Sequence, residues 1–342
     1  MFFRSLTIIL VVFFMSSHLQ AQQSSKKTFA LAIHGGAGSS PGMFSDEANQ
    51  QRYQSMEEAL KIGTKILKEG GTSLEAVEAV VVFLEDDPQF NAGKGAVFNA
   101  ADGHELDASI MDGSDLSCGA VAGVKTIKNP IKLARLVKDE TRHVLLAGPG
   151  ADEFGKAQGV ELVANNHFDT PATLKRWNEL KQKMEGEKGS SLDRSELEIV
   201  DMDTGSYFGT VGCVALDSQG NLAAATSTGG LTNKKFGRVG DSPIVAAGTY
   251  ANNNSCAVSC TGIGEEFIRH VVAYDVAARM RYKGSTVQDA VKEILADELP
   301  SAAGGIIAVD KDGNISMEFS TGGMARAASD SDGLFEVQWH KD

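Results

Sequence analysis

The chain has 342 residues, 42% hydrophobic and 23% charged, a balance ample for a large globular core. Its net charge of −13, with no basic cluster to offset it, argues against a nucleic-acid or anionic-membrane partner. Its 37 glycines against 16 Phe, 5 Tyr and 2 Trp suit a sheet-rich protein with tight turns and close backbone approaches.

Residues 1–21, MFFRSLTIILVVFFMSSHLQA, carry Arg4, an apolar run from Leu6 to Met15, and small or polar residues ending at Ala21. At roughly 1.5 Å per helical residue that run crosses only about half of a ~30 Å bilayer core. A cleaved export signal is expected, with an uncleaved anchor as the alternative. The mature protein is then periplasmic or secreted, with no membrane attachment after signal cleavage.

TFALAIHGGAG (28–38) reads as a buried strand running into a glycine-rich turn, within which the ring of His34 is expected to be bonded. Gly38-Ser39-Ser40-Pro41-Gly42 formally matches a nucleophile elbow, but no strand of its own precedes it. A helix is predicted over 46–68, with Met56, Ala59, Leu60, Ile66 and Leu67 on one face. A second, over 73–86, opens with a capping box of Thr72 and Glu75. A strand pair (104–113 and 118–127), a short helix (129–140) and a return to the core (143–148) follow. Residues 165–208 are rich in Lys, Glu, Asp and Ser and read as an exposed mobile linker, part of it helical over 173–184.

Beyond the linker, strands are predicted over 210–216, 222–228 and 256–262, then helices over 265–284 and 286–299. A hairpin over 304–319 and a closing strand near 334–339 complete the chain. Helices and strands come in blocks, which favours a layered α+β architecture with sheets face to face and helices outside. Cys118, Cys213, Cys256 and Cys260 form no CxxC pair. Cys256 and Cys260, four residues apart on one strand, are separated by roughly 13 Å, beyond disulfide reach. All four read as small core-filling thiols.

The abrupt strand start at Gly209-Thr210 carries the first chemical signal. A threonine hydroxyl is a poor nucleophile without a base. If the peptide before Thr210 is cut, the freed α-amine, with a pKa of about 7.7–8.0, supplies that base on the same residue. The bland alternative is an ordinary strand threonine. Arg238 and Asp241 stand three apart among glycines, suited to a substrate α-carboxylate and α-ammonium, or else to a solvated ion pair. Thr261-Gly262, with Gly264 just beyond, ends a strand and could form an oxyanion hole.

HGGAG, FNAGKGAVFN, HELDASIMDG, GTVGCVALD, AAATSTGG, GRVGDSPIVAAGTYANN and SCTGIGEEFIR stand in the order seen in plant-type asparaginases. Over residues 28–342 the chain closely resembles these isoaspartyl peptidase/L-asparaginases of the N-terminal nucleophile hydrolases. The resemblance implies a four-layer αββα sandwich that cleaves itself between Gly209 and Thr210. The products would be an α subunit (22–209) and a β subunit (210–342), one structural domain together. It makes Thr210 the nucleophile and Thr228 its hydrogen-bonding tuner. Arg238 and Asp241 hold the substrate, Thr261 and Gly262 form the oxyanion hole, and Gly264 completes that wall. Asn91 is tied to self-cleavage. No catalytic cofactor is implied. A structural sodium would sit on carbonyls of the 84–94 loop, from Leu84, Glu85, Asp87, Phe90, Ala92 and Lys94. The expected substrates are L-asparagine and β-aspartyl dipeptides, and the expected assembly is a dimer of αβ units. Glycosylasparaginase shares the fold and nucleophile but matches TSTGG and SCTGIGEEFIR less well. An uncleaved, non-catalytic amino-acid-binding protein on this scaffold is the alternative from another class.

Overall fold

The computed structural model describes residues 28–38, 42, 45–187 and 209–340. The expected signal (1–21), the elbow match at Ser40 and residues 188–208 of the expected linker lie outside the described residues.

The strands are β1 (Ala30–Ala37), β2 (Leu106–Asp112), β3 (Cys118–Val124), β4 (Leu145–Ala147), β5 (Val211–Leu216) and β6 (Leu222–Thr228), followed by β7 (Thr249–Ala251), β8 (Cys256–Gly262), β9 (Gly304–Asp310), β10 (Ile315–Phe319), β11 (Met324–Asp330) and β12 (Phe335–Gln338). They form an eight-stranded sheet, β12-β11-β1-β5-β6-β2-β3-β4, and a four-stranded one, β10-β9-β8-β7. Strands β1, β5 and β6 of the first lie against β8 and β9 of the second. Alternation sorts the faces. Leu31 and Ile33 point into one apolar layer, whereas Ala30 and Ala32 belong to the other, shared with Val214, Val258 and Ile307.

Three helices cover the outer face of the large sheet: α1 (Asp46–Lys68), α2 (Ser73–Asp86) and α3 (Pro130–Glu140). Met56, Leu60, Val77, Val80 and Ile131 seal that layer. The expected capping box is present in both halves: Thr72 accepts from the Glu75 N–H, and Glu75 accepts from the Thr72 N–H. On the other side, α6 (Gly264–His270), α7 (Val272–Ala278) and α8 (Val287–Glu293) pack on the small sheet through Phe267, Val276 and Val291. Two further helices, α4 (Gly148–Ala157) and α5 (Pro171–Glu187), lie between β4 and β5 in sequence. The order of layers is helix, sheet, sheet, helix, as expected.

Several local readings change. The single helix expected over 265–284 breaks at Val271, which takes a left-handed conformation (φ 51°). There the amides of Ala273 and Tyr274 donate to the carbonyls of Ala247 and Ala246, outside the helical ladder. The helix expected over 286–299 ends its α-helical part at Glu293 and finishes in a wider turn, Ile294–Glu298. The stretch over 143–148 yields an edge strand rather than a core one, with Leu145 45% exposed. Part of the expected linker is well formed, since α5 runs to Glu187. Neither β7 nor β11 was anticipated. All four cysteines are free, and Cys118 alone of them is not fully buried.

Candidate active site

Thr210 sits one residue before β5, in the middle of the large sheet and 8% exposed. Its entry is shaped by β1, whose register against β11 shifts between His34 and Ala37. The irregularity lets Gly36, at φ +107°, approach Gly209 backbone to backbone. A Cβ on Gly36 would lie 2.3 Å from the Gly209 Cα, and one on Gly209 would lie 2.2 Å from the Gly36 Cα. Neither position has room for any side chain. His34 is not bonded within the glycine turn as expected. Its Nδ1 lies 2.9 Å from the carbonyl oxygen of Thr210, across the β1–β5 pair.

Strand β6 runs antiparallel beside β5 and ends in Thr228. The Thr210 hydroxyl donates to the Thr228 Oγ1 at 3.1 Å, and the Gly230 N–H donates to that same oxygen at 3.0 Å. Asn91 steadies this turn: its Nδ2 donates to the Gly230 carbonyl (2.8 Å) and its Oδ1 accepts from Val97 N–H (3.1 Å). Thr210, Thr228, Gly209 and Asn91 line one cavity together with Arg238, Asp241 and Gly262.

The opposite wall is charged. Arg238 lays Nε and Nη2 on the two carboxylate oxygens of Glu265, both at 2.8 Å. Burial works against the guanidinium charge, but Glu265 outweighs it and holds the group firmly protonated. Asp241 is 4% exposed, and its Oδ2 has no hydrogen-bond partner among the described residues. Burial pushes its carboxyl up to about 7, with Arg238 pulling the other way. A buried carboxylate acceptor left open beside a fixed guanidinium suits an α-ammonium and α-carboxylate. Gly264 opens α6 against this clamp; a Cβ there would lie 2.9 Å from Arg238 Nη2 and Asp241 Oδ1. The bare glycine makes room for Arg238 and Asp241.

Gly262 borders the cavity at the end of β8, at φ +149°. Thr261 is fully buried beside it, and its Oγ1 accepts the Ala37 N–H at 3.3 Å. That bond does not use the threonine hydrogen, and Thr261 stands behind Gly262 rather than in the cavity lining.

The 84–94 segment begins inside α2: Leu84 and Glu85 belong to its last turn. Carbonyls then crowd two glycines, since a Cβ on Gly93 would lie 2.3 Å from Glu85 O, and one on Gly95 2.3 Å from Phe90 O. The two glycines let carbonyl oxygens of this segment come close to the backbone, and oxygen ligands are the kind a hard cation takes. The side chain of Lys94 turns elsewhere, donating to the His167 carbonyl (2.9 Å). Asp87 accepts the Gln89 N–H at 2.9 Å, and Ala92 is fully buried. The Glu85 carboxyl accepts from Ser227 Oγ (2.6 Å) and Ile131 N–H (3.0 Å), and burial pushes it up to about 8. Among the described residues no group of three or more His, Cys, Asp or Glu side chains could hold a metal ion.

Sequence reasoning passed over three of these features. Glu265 stands within SCTGIGEEFIR, where one acidic residue at a helix start carries no signal of its own. The contact of His34 with Thr210 spans the sheet and leaves no trace in spacing. The clash that fixes Gly36 and Gly209 becomes visible only when the two backbones meet.

A four-layer sandwich that presents a strand-leading threonine to an amino-acid head-group clamp defines a hydrolase of the N-terminal nucleophile class. The asparaginase family profile matches residues 27–338. The isoaspartyl peptidase of Salmonella typhimurium is 47% identical over 300 residues, covering 87% of this chain and 94% of its own. The human isoaspartyl peptidase/L-asparaginase is 42% identical over 301 residues, covering 87% and 92%. A probable isoaspartyl peptidase/L-asparaginase of Arabidopsis thaliana is 41% identical over 320 residues, covering 90% and 98%. The chain belongs to the asparaginase family.

Proposed function

We propose that the protein cleaves itself before Thr210 and then hydrolyses β-aspartyl dipeptides and the side-chain amide of L-asparagine. One observation supports this reading above the rest. Thr210, whose hydroxyl is already turned onto Thr228, lines the same cavity as Arg238 and the buried Asp241. In processing, the hydroxyl oxygen attacks the Gly209 carbonyl carbon to form an ester. The Gly209–Thr210 C–N bond breaks as the hydroxyl proton passes to the departing nitrogen and frees it as the α-amine. Water then hydrolyses the ester to release the Gly209 carboxylate and restore the hydroxyl. In turnover that amine takes the hydroxyl proton as the oxygen attacks the side-chain carbonyl carbon of the substrate. The Gly262 backbone faces the oxyanion, with Thr261 behind it. Collapse expels ammonia, or the downstream amino acid, carrying the proton. Water then cleaves the β-aspartyl ester and frees aspartate. Both substrates offer the same head group to Arg238 and Asp241, so one site serves both. The steps need only groups of this chain.

Intact-mass analysis of purified protein together with Thr210→Ala tests the reading. Two fragments, one starting at Thr210, and complete loss of turnover in the variant are expected. An intact, inactive wild-type chain would leave a binding protein instead. Side-by-side kcat/KM for L-asparagine, a β-aspartyl dipeptide and a glycosylated asparagine separates the reading from a glycosylasparaginase.

Three finer points belong to the same proposal. A sodium ion on the carbonyls of the 84–94 segment would stiffen the support of Asn91, tested by a Tm that rises with sodium but not with equal choline. Cleaved protein assembles as a dimer of αβ units, to be read by light scattering. Residues 1–21 direct export to the periplasm or medium, and N-terminal sequencing of the exported form tests it. No helix among the described residues is long and apolar enough to cross a membrane.

A further inference from the structure

Between the two sheets, in a layer otherwise built from apolar side chains, runs an unbroken string of buried hydroxyls that ends on the nucleophile. Ser109, Thr226, Thr249, Ser259 and His34 are each 0% exposed. The string starts at Thr249; Ser109 lies beside it, 2.8 Å from Thr249 Oγ1, and gives its one hydrogen to the Ser242 carbonyl at 2.6 Å, which can only accept. Thr249 Oγ1 is 2.6 Å from Thr226 Oγ1, and Thr226 Oγ1 is 2.7 Å from Ser259 Oγ. Ser259 Oγ is 2.9 Å from His34 Nε2, and His34 Nδ1 is 2.9 Å from the Thr210 carbonyl oxygen. Gly212 makes the crossing possible: a Cβ there would lie 2.1 Å from Ser259 Oγ and 2.4 Å from His34 Nε2.

The chemistry of the end group fixes the sense of the whole string. A carbonyl oxygen only accepts, so His34 Nδ1 must donate. Burial drives the ring down to about 3, against the pull of the Thr210 carbonyl, so it is neutral and its Nε2 must accept. Ser259 therefore donates to the ring and accepts from Thr226, which in turn accepts from Thr249. Every donor points toward Thr210. The other end is the Thr249 hydroxyl, which donates to Thr226. A string of one sense polarises its members and resists rearrangement, because reversing any hydroxyl strands its neighbours in a dry layer.

We propose that Thr249, Thr226, Ser259 and His34 form a positioning relay that fixes the main-chain carbonyl of Thr210. The Thr210 Cα carries the carbonyl, the hydroxyl-bearing side chain and, after cleavage, the amine that acts as base. Holding the carbonyl therefore sets the direction of both reacting groups, which would otherwise swing at a fresh chain terminus. The relay rests on the reading of Thr210 as nucleophile.

Thr226→Val and Thr226→Ser, each purified in cleaved form, test the relay two hydrogen bonds from the His34 ring. Valine keeps the shape and removes the hydroxyl; serine keeps the hydroxyl. If the string only satisfies buried polar groups, valine leaves kcat alone. The relay predicts that Thr226→Val lowers kcat by about tenfold, with KM within about twofold and Tm not lowered, and that Thr226→Ser recovers most of kcat. Adding Ser259→Ala to Thr226→Val should cost less than the product of the two single losses, because both break one string. Folded Thr226→Val with wild-type kcat, or a serine variant as slow as the valine one, overturns the relay. Should Thr226→Val not fold, Thr249→Val against Thr249→Ser makes the same contrast one hydroxyl further out. Thr210→Ala is run separately: turnover surviving in it would refute the nucleophile, whereas the valine–serine contrast bears on the relay alone.

Discussion

Glu265 occupies two of the three nitrogens of Arg238, both at 2.8 Å, and so aims the fork while leaving Nη1 outside that pair, beside Gly230 and Gly240. A substrate carboxylate held by Arg238, as proposed, would meet a guanidinium already fixed in angle by Glu265. Glu265→Gln should keep kcat near wild type and raise KM about three- to tenfold, since only ground-state grip is loosened. Arg238→Lys, which keeps charge but loses the planar fork, should raise KM by about a hundredfold. Steady-state kinetics on L-asparagine decide; a fall in kcat with unchanged KM for Glu265→Gln would contradict this arrangement.

The contact between Thr210 and Thr228 is a single hydrogen bond of 3.1 Å inside a buried site. Thr228→Val should lower kcat about ten- to a hundredfold while leaving KM little changed, because the bond orients the attacking oxygen rather than the substrate. Thr228→Ser should retain most activity.

Asp241 titrates in the working range, its free-enzyme carboxyl raised by burial to about 7. Only the ionised form binds an ammonium. L-Aspartate, which carries the head group without the scissile amide, should therefore bind about tenfold more weakly per pH unit as pH falls below 7. Calorimetric titration between pH 5 and 8 reads this directly. The bound ammonium stabilises the carboxylate, so the acid limb of kcat should lie below that of kcat/KM.

Glu85 gives a stability prediction. Its folded-state carboxyl titrates at about 8 against 4.5 for an ordinary glutamate, so between these values the folded state holds more protons than the unfolded one. Stability from this group is complete below about 4.5 and is lost as pH rises through 8. Glu85→Gln, which mimics the neutral acid, should flatten that slope. Tm for both proteins at pH 5 and pH 9 checks it: the drop should be larger for the wild type.

Elements with a repeating face were legible in the sequence. Met56, Leu60 and Leu67 gave α1 its stripe, and Thr72 with Glu75 marked the start of α2 at the observed residue. Strand β11, MARAASD, was not legible, because alanine and serine carry no strand preference of their own; it is buried throughout by its neighbours β1 and β12. The break at Val271 was hidden because it depends on carbonyls of Ala246 and Ala247, far off in sequence. At the site, residue types that announce chemistry, Thr210, Arg238 and Asp241, stood out. Their supports, His34, Glu265 and the inter-sheet hydroxyls, did not, since a serine or threonine in a strand looks alike whether it touches a relay or nothing.

The contact of Gly36 with Gly209 has a consequence for how the protein can vary. A damaging change in an ordinary core is often repaired elsewhere, by trimming the neighbour it bumps. Here the neighbour on each side is bare main chain, with nothing left to trim. A library selected for revertants of Gly36→Ala or Gly209→Ala should return only the original glycine.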